Sequence, residues 1–278
     1  MPLNYMGWRV EFIGYLAAVL MGLVLGLVGG GGSILTVPIL VYLMHLEPGV
    51  ATGYSLLIVG ATAAFGASRY FRLGFVDLKL ALLFAIPSVV AVYLTRLLLM
   101  PALPEKLLTS PVVIYKDQAI MVLFSLLMMA SAFAMLKKVR QTDSEEPLEG
   151  GVVTHAPSRW LAIALDGAVV GLITGMLGAG GGFLIVPALV LLVGLPMKNA
   201  IGTSLLIIAL KSLIGFVGDL QVGIVLDVEL IAFMLLATLL GMWASSGVAY
   251  RIDAHLLQKL FAVFTAAIAS FILIIEFV

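Results

Sequence analysis

Gly29-Gly30-Gly31-Gly32-Ser33 interrupts an intensely apolar region, and Gly178-Ala179-Gly180-Gly181-Gly182 repeats the interruption 149 residues further on. Glycine lets the backbone leave the helical region without steric cost. Each run follows a helix-length apolar segment and precedes a shorter one. In a bilayer that is the pattern of a broken helix. A pair of such breaks at matching places in two halves points to a binding site at mid-depth.

The composition sets the environment. Hydrophobic residues make up 63% of the 278, charged residues only 11%, and mean hydropathy is +1.21. A soluble domain carries about 25% charged residues, so this chain has too little polar surface to face water all round. Apolar runs of about 17–25 residues recur, as membrane helices require, whereas barrel strands are shorter and alternate in polarity. The formal net charge of zero speaks against nucleic acid as a partner. With no cysteine, thiol chemistry and iron–sulfur sites are excluded. His45, His155 and His255 are scattered and suggest no metal site, and no cofactor is expected. The first apolar run, after Arg9, reads as a retained helix rather than a signal peptide, because no small-residue cleavage motif follows it.

Apolar segments fall at 11–28, 34–46, 50–66, 78–99 and 118–138, then at 160–177, 183–194, 199–217, 229–250 and 255–277. Residues 139–159 are the long polar stretch between the two sets. Laid over one another at an offset of 149, residues 22–74 and 171–223 share 21 identities in 53 positions. These include Gly22/Gly171, Gly26/Gly175, Pro38/Pro187, Gly53/Gly202, Ser55/Ser204 and Gly66/Gly215. The chain is therefore expected to be an all-α integral membrane protein of 8–10 transmembrane segments, built from two inverted repeats with broken helices. Residues 1–138 form the first repeat, 139–159 a cytoplasmic linker and 160–278 the second repeat. The inversion rests on loop charge. Arg69, Arg72 and Lys79 flank one loop, while the equivalent loop holds Asp219, Asp227 and Glu229, and Lys and Arg mark the cytoplasmic side. Segments 34–46 and 183–194 would be only about 18–20 Å long at 1.5 Å per residue, so they read as half-helices starting at membrane depth.

The candidate anion site follows from those half-helices. Helix N-termini carry partial positive charge and unpaired amides, and irregular backbone at that depth must line protein or water. Gly29, Gly30, Gly31, Gly32 and Ser33, with Gly178, Ala179, Gly180, Gly181 and Gly182, are the proposed cradle. The spacings Gly22-x-x-x-Gly26 and Gly171-x-x-x-Gly175 read instead as close helix packing. Tyr54, Ser55, Thr203 and Ser204 either complete an anion's hydrogen bonds or bond within their own helices. Lys211, inside an apolar segment, is a functional candidate by position. It would supply a countercharge for an anion or pair with Asp166 or Asp219. Asp166 and Glu11 are candidates to carry a coupling proton. Arg69 and Arg72 read as boundary charges.

The repeated pattern, Gly26-Leu-Val-Gly29 through Val37-Pro38 with Ala51-Thr-Gly-Tyr-Ser55, and Gly175-Met-Leu-Gly178 through Val186-Pro187 with Ala200-Ile-Gly-Thr-Ser204, resembles the sulfite exporter TauE/SafE family of membrane permeases. That resemblance implies transport of sulfite, or of a small organosulfonate such as sulfoacetate, across the cytoplasmic membrane. The expected function is a multi-pass exporter working by alternating access. A passive anion channel or an uptake permease for another small organic anion is the alternative. Expected partners are the small anion, the lipid bilayer and a coupling proton, with a homodimer left open. Enzymes fit poorly: Gly53-Tyr-Ser55 and Gly31-Gly-Ser33 lack the second glycine of a nucleophile turn. No His-Glu-x-x-His or nucleotide-binding glycine pattern occurs.

Overall fold

The computed structural model describes residues 3–99, 102, 106–108, 114–142, 157–177, 181–249 and 251–277. The first half holds α1 (Leu3–Val28), α2 (Gly31–Pro38), α3 (Pro48–Arg72), α4 (Leu78–Leu94) and α5 (Lys116–Thr142). The second holds α6 (Pro157–Leu177), α7 (Gly182–Pro187), α8 (Met197–Val222), α9 (Val228–Ala249) and α10 (Ala254–Phe277). A short antiparallel pair, β1 (Lys106–Leu108) and β2 (Ile114–Tyr115), lies between α4 and α5. Five stretches are long and apolar enough to cross a membrane: Pro48–Arg72, Leu78–Leu99, Met197–Gln221, Val228–Val248 and Ala254–Ile275.

Local sequence explains the element ends. Pro48 opens α3, where its missing N–H costs nothing. Asp77 and Asp227 cap α4 and α9 through the amides of Leu80 and Leu230, both at 3.0 Å. Pro38 and Pro187 close α2 and α7, and each is followed by a wider π turn, Ile39–Leu43 and Ala188–Val193. A third π turn, Thr95–Leu99, ends α4.

The first glycine run reverses the chain, where the sequence alone suggests a break within one spanning helix. A β-carbon on Gly32 would strike the backbone of Met21 and Leu25, and one on Gly14 would strike the side chain of Met44. The Thr36 hydroxyl reaches the Met21 sulfur at 2.9 Å. Thus α2 returns antiparallel along α1, and the pair forms a helical hairpin with the glycines at its tip. In the second half, Gly181, just before α7, lies against Thr174 near the end of α6.

The main helix pairings recur when the halves are exchanged. Helix α1 packs on α9 as α6 packs on α4, and α4 meets α8 as α9 meets α3. Helix α5 touches α7 as α10 touches α2, while α3·α8, α5·α10 and α2·α7 pair with their own equivalents. Small residues set the tightest crossings. Gly22 and Gly241 sit against the carbonyls of Thr238 and Val19, and Gly167 and Gly171 against those of Phe84 and Ser88. No β-carbon would fit there, and this is how apolar helices associate where lipid removes the hydrophobic driving force. The central pair is α3 and α8, which run antiparallel: Gly53 faces Asp219, Gly60 faces Leu213 and Gly66 faces Leu205. Around them, stripes such as Leu82, Ile86, Val90 and Leu94 on α4, and Leu161, Leu165, Val169 and Leu172 on α6, point outward. An apolar stripe at helical spacing on the outside of the bundle is a surface suited to hydrocarbon.

Candidate functional site

The site forms where the hairpin tips meet. Gly29 has φ +73 and Gly181 φ +73, a left-handed conformation open to glycine, so each can turn the chain without strain. Gly30 and Gly182 touch backbone to backbone: a β-carbon on either would strike the other's main chain. Gly31 and Gly32 begin α2, with the Ser33 hydroxyl donating to the Gly30 carbonyl at 2.7 Å. The Ser204 hydroxyl, fully buried, lies 2.7 Å from the Gly29 carbonyl and 2.8 Å from that of Ile201. It ties α8 to the first tip. Gly178, Ala179 and Gly180 lie outside the described residues.

Lys211 is 1% exposed at the middle of α8. Its ammonium donates to the Thr174 hydroxyl at 2.8 Å and lies directly against Gly181. An ammonium carries three donors, and among the described residues Thr174 is its one acceptor; no carboxylate reaches it. At an offset of 149 the equivalents of Lys211 and Thr174 are Thr62 and Leu25. The cation therefore marks one hairpin tip and not its partner. Asp166 is half-buried on α6, away from this ammonium, and Glu11 lies on α1 with its side-chain surroundings outside the described residues.

Tyr54 and Thr203 occupy one aligned position and do one job. The Tyr54 hydroxyl donates to the Val225 carbonyl at 2.9 Å and accepts from the Asp227 amide at 2.6 Å. The Thr203 hydroxyl accepts from the Asp77 amide at 3.0 Å. Each stitches its helix to the loop that follows the central helix of the other half. Tyr54→Phe leaves the Asp227 amide without its acceptor, which costs about 1–3 kcal/mol. We expect a lower melting temperature in detergent with unchanged anion affinity, measured by thermal unfolding and equilibrium binding.

Asp219 pairs with Arg96 and not with Lys211, the Nη1–Oδ1 distance being 3.4 Å. The same Nη1 reaches the Thr52 hydroxyl at 3.1 Å. Among the described residues, Arg96 Nε and Nη2, Asp219 Oδ2 and the Ser55 hydroxyl are buried without a hydrogen-bond partner. Arg96 is missed by sequence reasoning because it sits near the end of a leucine-rich segment, where an arginine normally snorkels to the interface. The signal that could have found it is Asp219, an acid within the long apolar helix α8. At the opposite end Arg69 donates to the Trp243 carbonyl at 2.7 Å and, with Arg72, Leu73, Ser246 and Gly247, lines an open cavity of about 270 Å³.

Apolar helices striped toward lipid, and paired glycine turns meeting beside a buried lysine, define the class: a multi-pass membrane transporter. The chain belongs to the sulfite exporter TauE/SafE family, whose profile matches residues 14–272. It is 30% identical over 257 residues to a probable membrane transporter protein of Xylella fastidiosa strain 9a5c, covering 91% of each chain. It is 32% identical over 239 residues to the probable membrane transporter protein YunE of Bacillus subtilis strain 168, covering 75% of this chain and 79% of that one. A second Bacillus subtilis protein, the probable membrane transporter protein YdhB, is 25% identical over 260 residues. No solved structure matches.

Proposed function

We propose that the protein is a secondary transporter that exports a small sulfur oxyanion, sulfite or an organosulfonate of the sulfoacetate type, across the cytoplasmic membrane. The observation that carries this is the Lys211 ammonium, buried beside Gly181 with one neutral acceptor among the described residues. A buried charge is costly unless paired, and a bound anion is the counterion this place lacks. The family description and the names of the relatives agree with a membrane transporter.

Alternating access suits the layout. The antiparallel pairing of α3 with α8 supports a two-fold axis across those helices, and hence repeats of opposite orientation if both span the bilayer. Each half would then contribute one hairpin that enters and leaves on the same side, followed by three crossings. Arg69, Arg72, Lys198 and Arg251 gather at one end of the bundle, which the charge rule makes cytoplasmic. In this reading one hairpin opens toward each side, and the meeting point of the tips is closed to both at once.

The test is a screen of sulfite, sulfate, thiosulfate, sulfoacetate, taurine and lactate on detergent-purified protein. Ligands that bind only the folded form raise its melting temperature by mass action. We expect sulfite or sulfoacetate to give the largest rise, and saturable flux of the same anion in proteoliposomes. A rise for lactate alone, or flux that does not saturate, would reject this reading.

A further inference from the structure

The ion pair of Arg96 with Asp219 is poorly made for a structural bridge. Charge-assisted N–H···O bonds are usually about 2.7–2.9 Å, and arginine pairs are commonly bidentate; here a single contact of 3.4 Å joins one nitrogen to one oxygen. Nη1 faces Asp219 and Thr52, whereas Nε and Nη2 have no partner among the described residues. Those two nitrogens form the side-on edge of the guanidinium, the fork that matches two oxygens of a planar or tetrahedral oxyanion. The residue is only 4% exposed, so bulk solvent does not reach the edge. One turn along α3 from Thr52, the buried Ser55 hydroxyl is also unpartnered. Arg96 lies within the π turn Thr95–Leu99 that ends α4, and such turns frequently occur at functional sites.

We propose that the Nε/Nη2 edge of Arg96, together with the Ser55 hydroxyl one turn along α3 from Thr52, is a second oxyanion station that holds a sulfonate, sulfite or carboxylate group in the bidentate manner. Along α8, Asp219 is eight residues beyond Lys211, about 12 Å at 1.5 Å per residue. The two cations therefore stand at different depths on one face of the transport path, and the cargo is handed from one to the other. Asp219, which touches Nη1 rather than that edge, opposes the anion by like charge. This rests on the reading above that the cargo is an oxyanion, but it concerns a different residue and can fail alone.

The experiment measures binding stoichiometry and affinity of sulfite and sulfoacetate on the full chain in detergent, for wild type, Arg96→Lys, Asp219→Asn and Lys211→Met. We expect two anions per chain in wild type and one in Arg96→Lys, which keeps the charge but loses the fork. Asp219→Asn should bind its second anion at least threefold more tightly, and its melting temperature should rise more with anion than that of wild type. One anion per chain in wild type, or two in Arg96→Lys with unchanged affinities, overturns the proposal. So does an unchanged second affinity in Asp219→Asn, which decides the matter if Arg96→Lys does not fold. No binding of either anion by wild type overturns both readings. Loss of a single site in Lys211→Met, with the Arg96-dependent site retained, supports this station and the first together.

Discussion

Lys211→Met should weaken anion binding beside Gly181 at least a hundredfold while leaving the empty protein as stable as before, or more so. The ammonium of Lys211 sits in the interior with Thr174 as its one described acceptor. Opposite unit charges 4 Å apart attract by about 4 kcal/mol at an effective dielectric near 20. Part of that is lost to desolvating the anion, so a fall of at least a hundredfold in affinity is expected, at about 1.4 kcal/mol per tenfold. The sign of the stability change is the informative part. If Lys211 held the fold together, removing it would lower the melting temperature. If it waits for cargo, methionine removes an uncompensated buried charge at similar volume, and such replacements are often neutral or stabilising. Thermal unfolding with and without the anion from the screen reads both quantities. An undiminished anion-induced rise in Lys211→Met would return the residue to a structural role.

Gly30→Ala should produce the second-largest effect, and for a steric reason alone. The backbone of Gly30 has φ −176, which any residue adopts, so no strain of conformation is involved. The obstacle is Gly182, whose Cα, carbonyl carbon and oxygen occupy the space a methyl needs. Backbone cannot rotate away as a side chain can, so the tips must separate. Overpacking costs about 1–3 kcal/mol in general, and the upper end applies here, equivalent to a fall of roughly 5–10 °C in melting temperature. Transport should fall at least tenfold with insertion intact. Gly49→Ala is the control: nothing lies within 4 Å of the position its methyl would take. Equal transport by the two variants would show that contact between the tips is dispensable.

Much of this layout is legible in the sequence because periodicity and repetition are local signals. The five-and-five division, the glycine pentads and the close crossings at Gly22 and Gly171 all follow from spacing. So does the burial of Lys211, since a lone lysine among apolar residues has nowhere else to go. The reversal at the glycines is not legible, because a kink and a hairpin need the same residues and differ only in where the following segment packs. Contacts such as Met21 with Gly32 decide it. The stitches made by Tyr54 and Thr203 are hidden for a different reason: their partners lie 173 and 126 residues away. Arg96 falls into the same gap, its acid being 123 residues distant. The polar linker is shorter than composition suggests, since α5 continues to Thr142 and α6 begins at Pro157.

The exchange of partners between the halves also bears on how the chain is made. Helices α1, α3, α4 and α5 each find their main neighbour among α6 to α10, and none of those exists while the first half is being synthesised. The early helices must leave the insertion machinery with their glycine grooves open to lipid, and Arg96 enters the bilayer before Asp219 has been translated. Assembly is thus a step that follows insertion, and a chain halted after α5 is an orphan for quality control to remove.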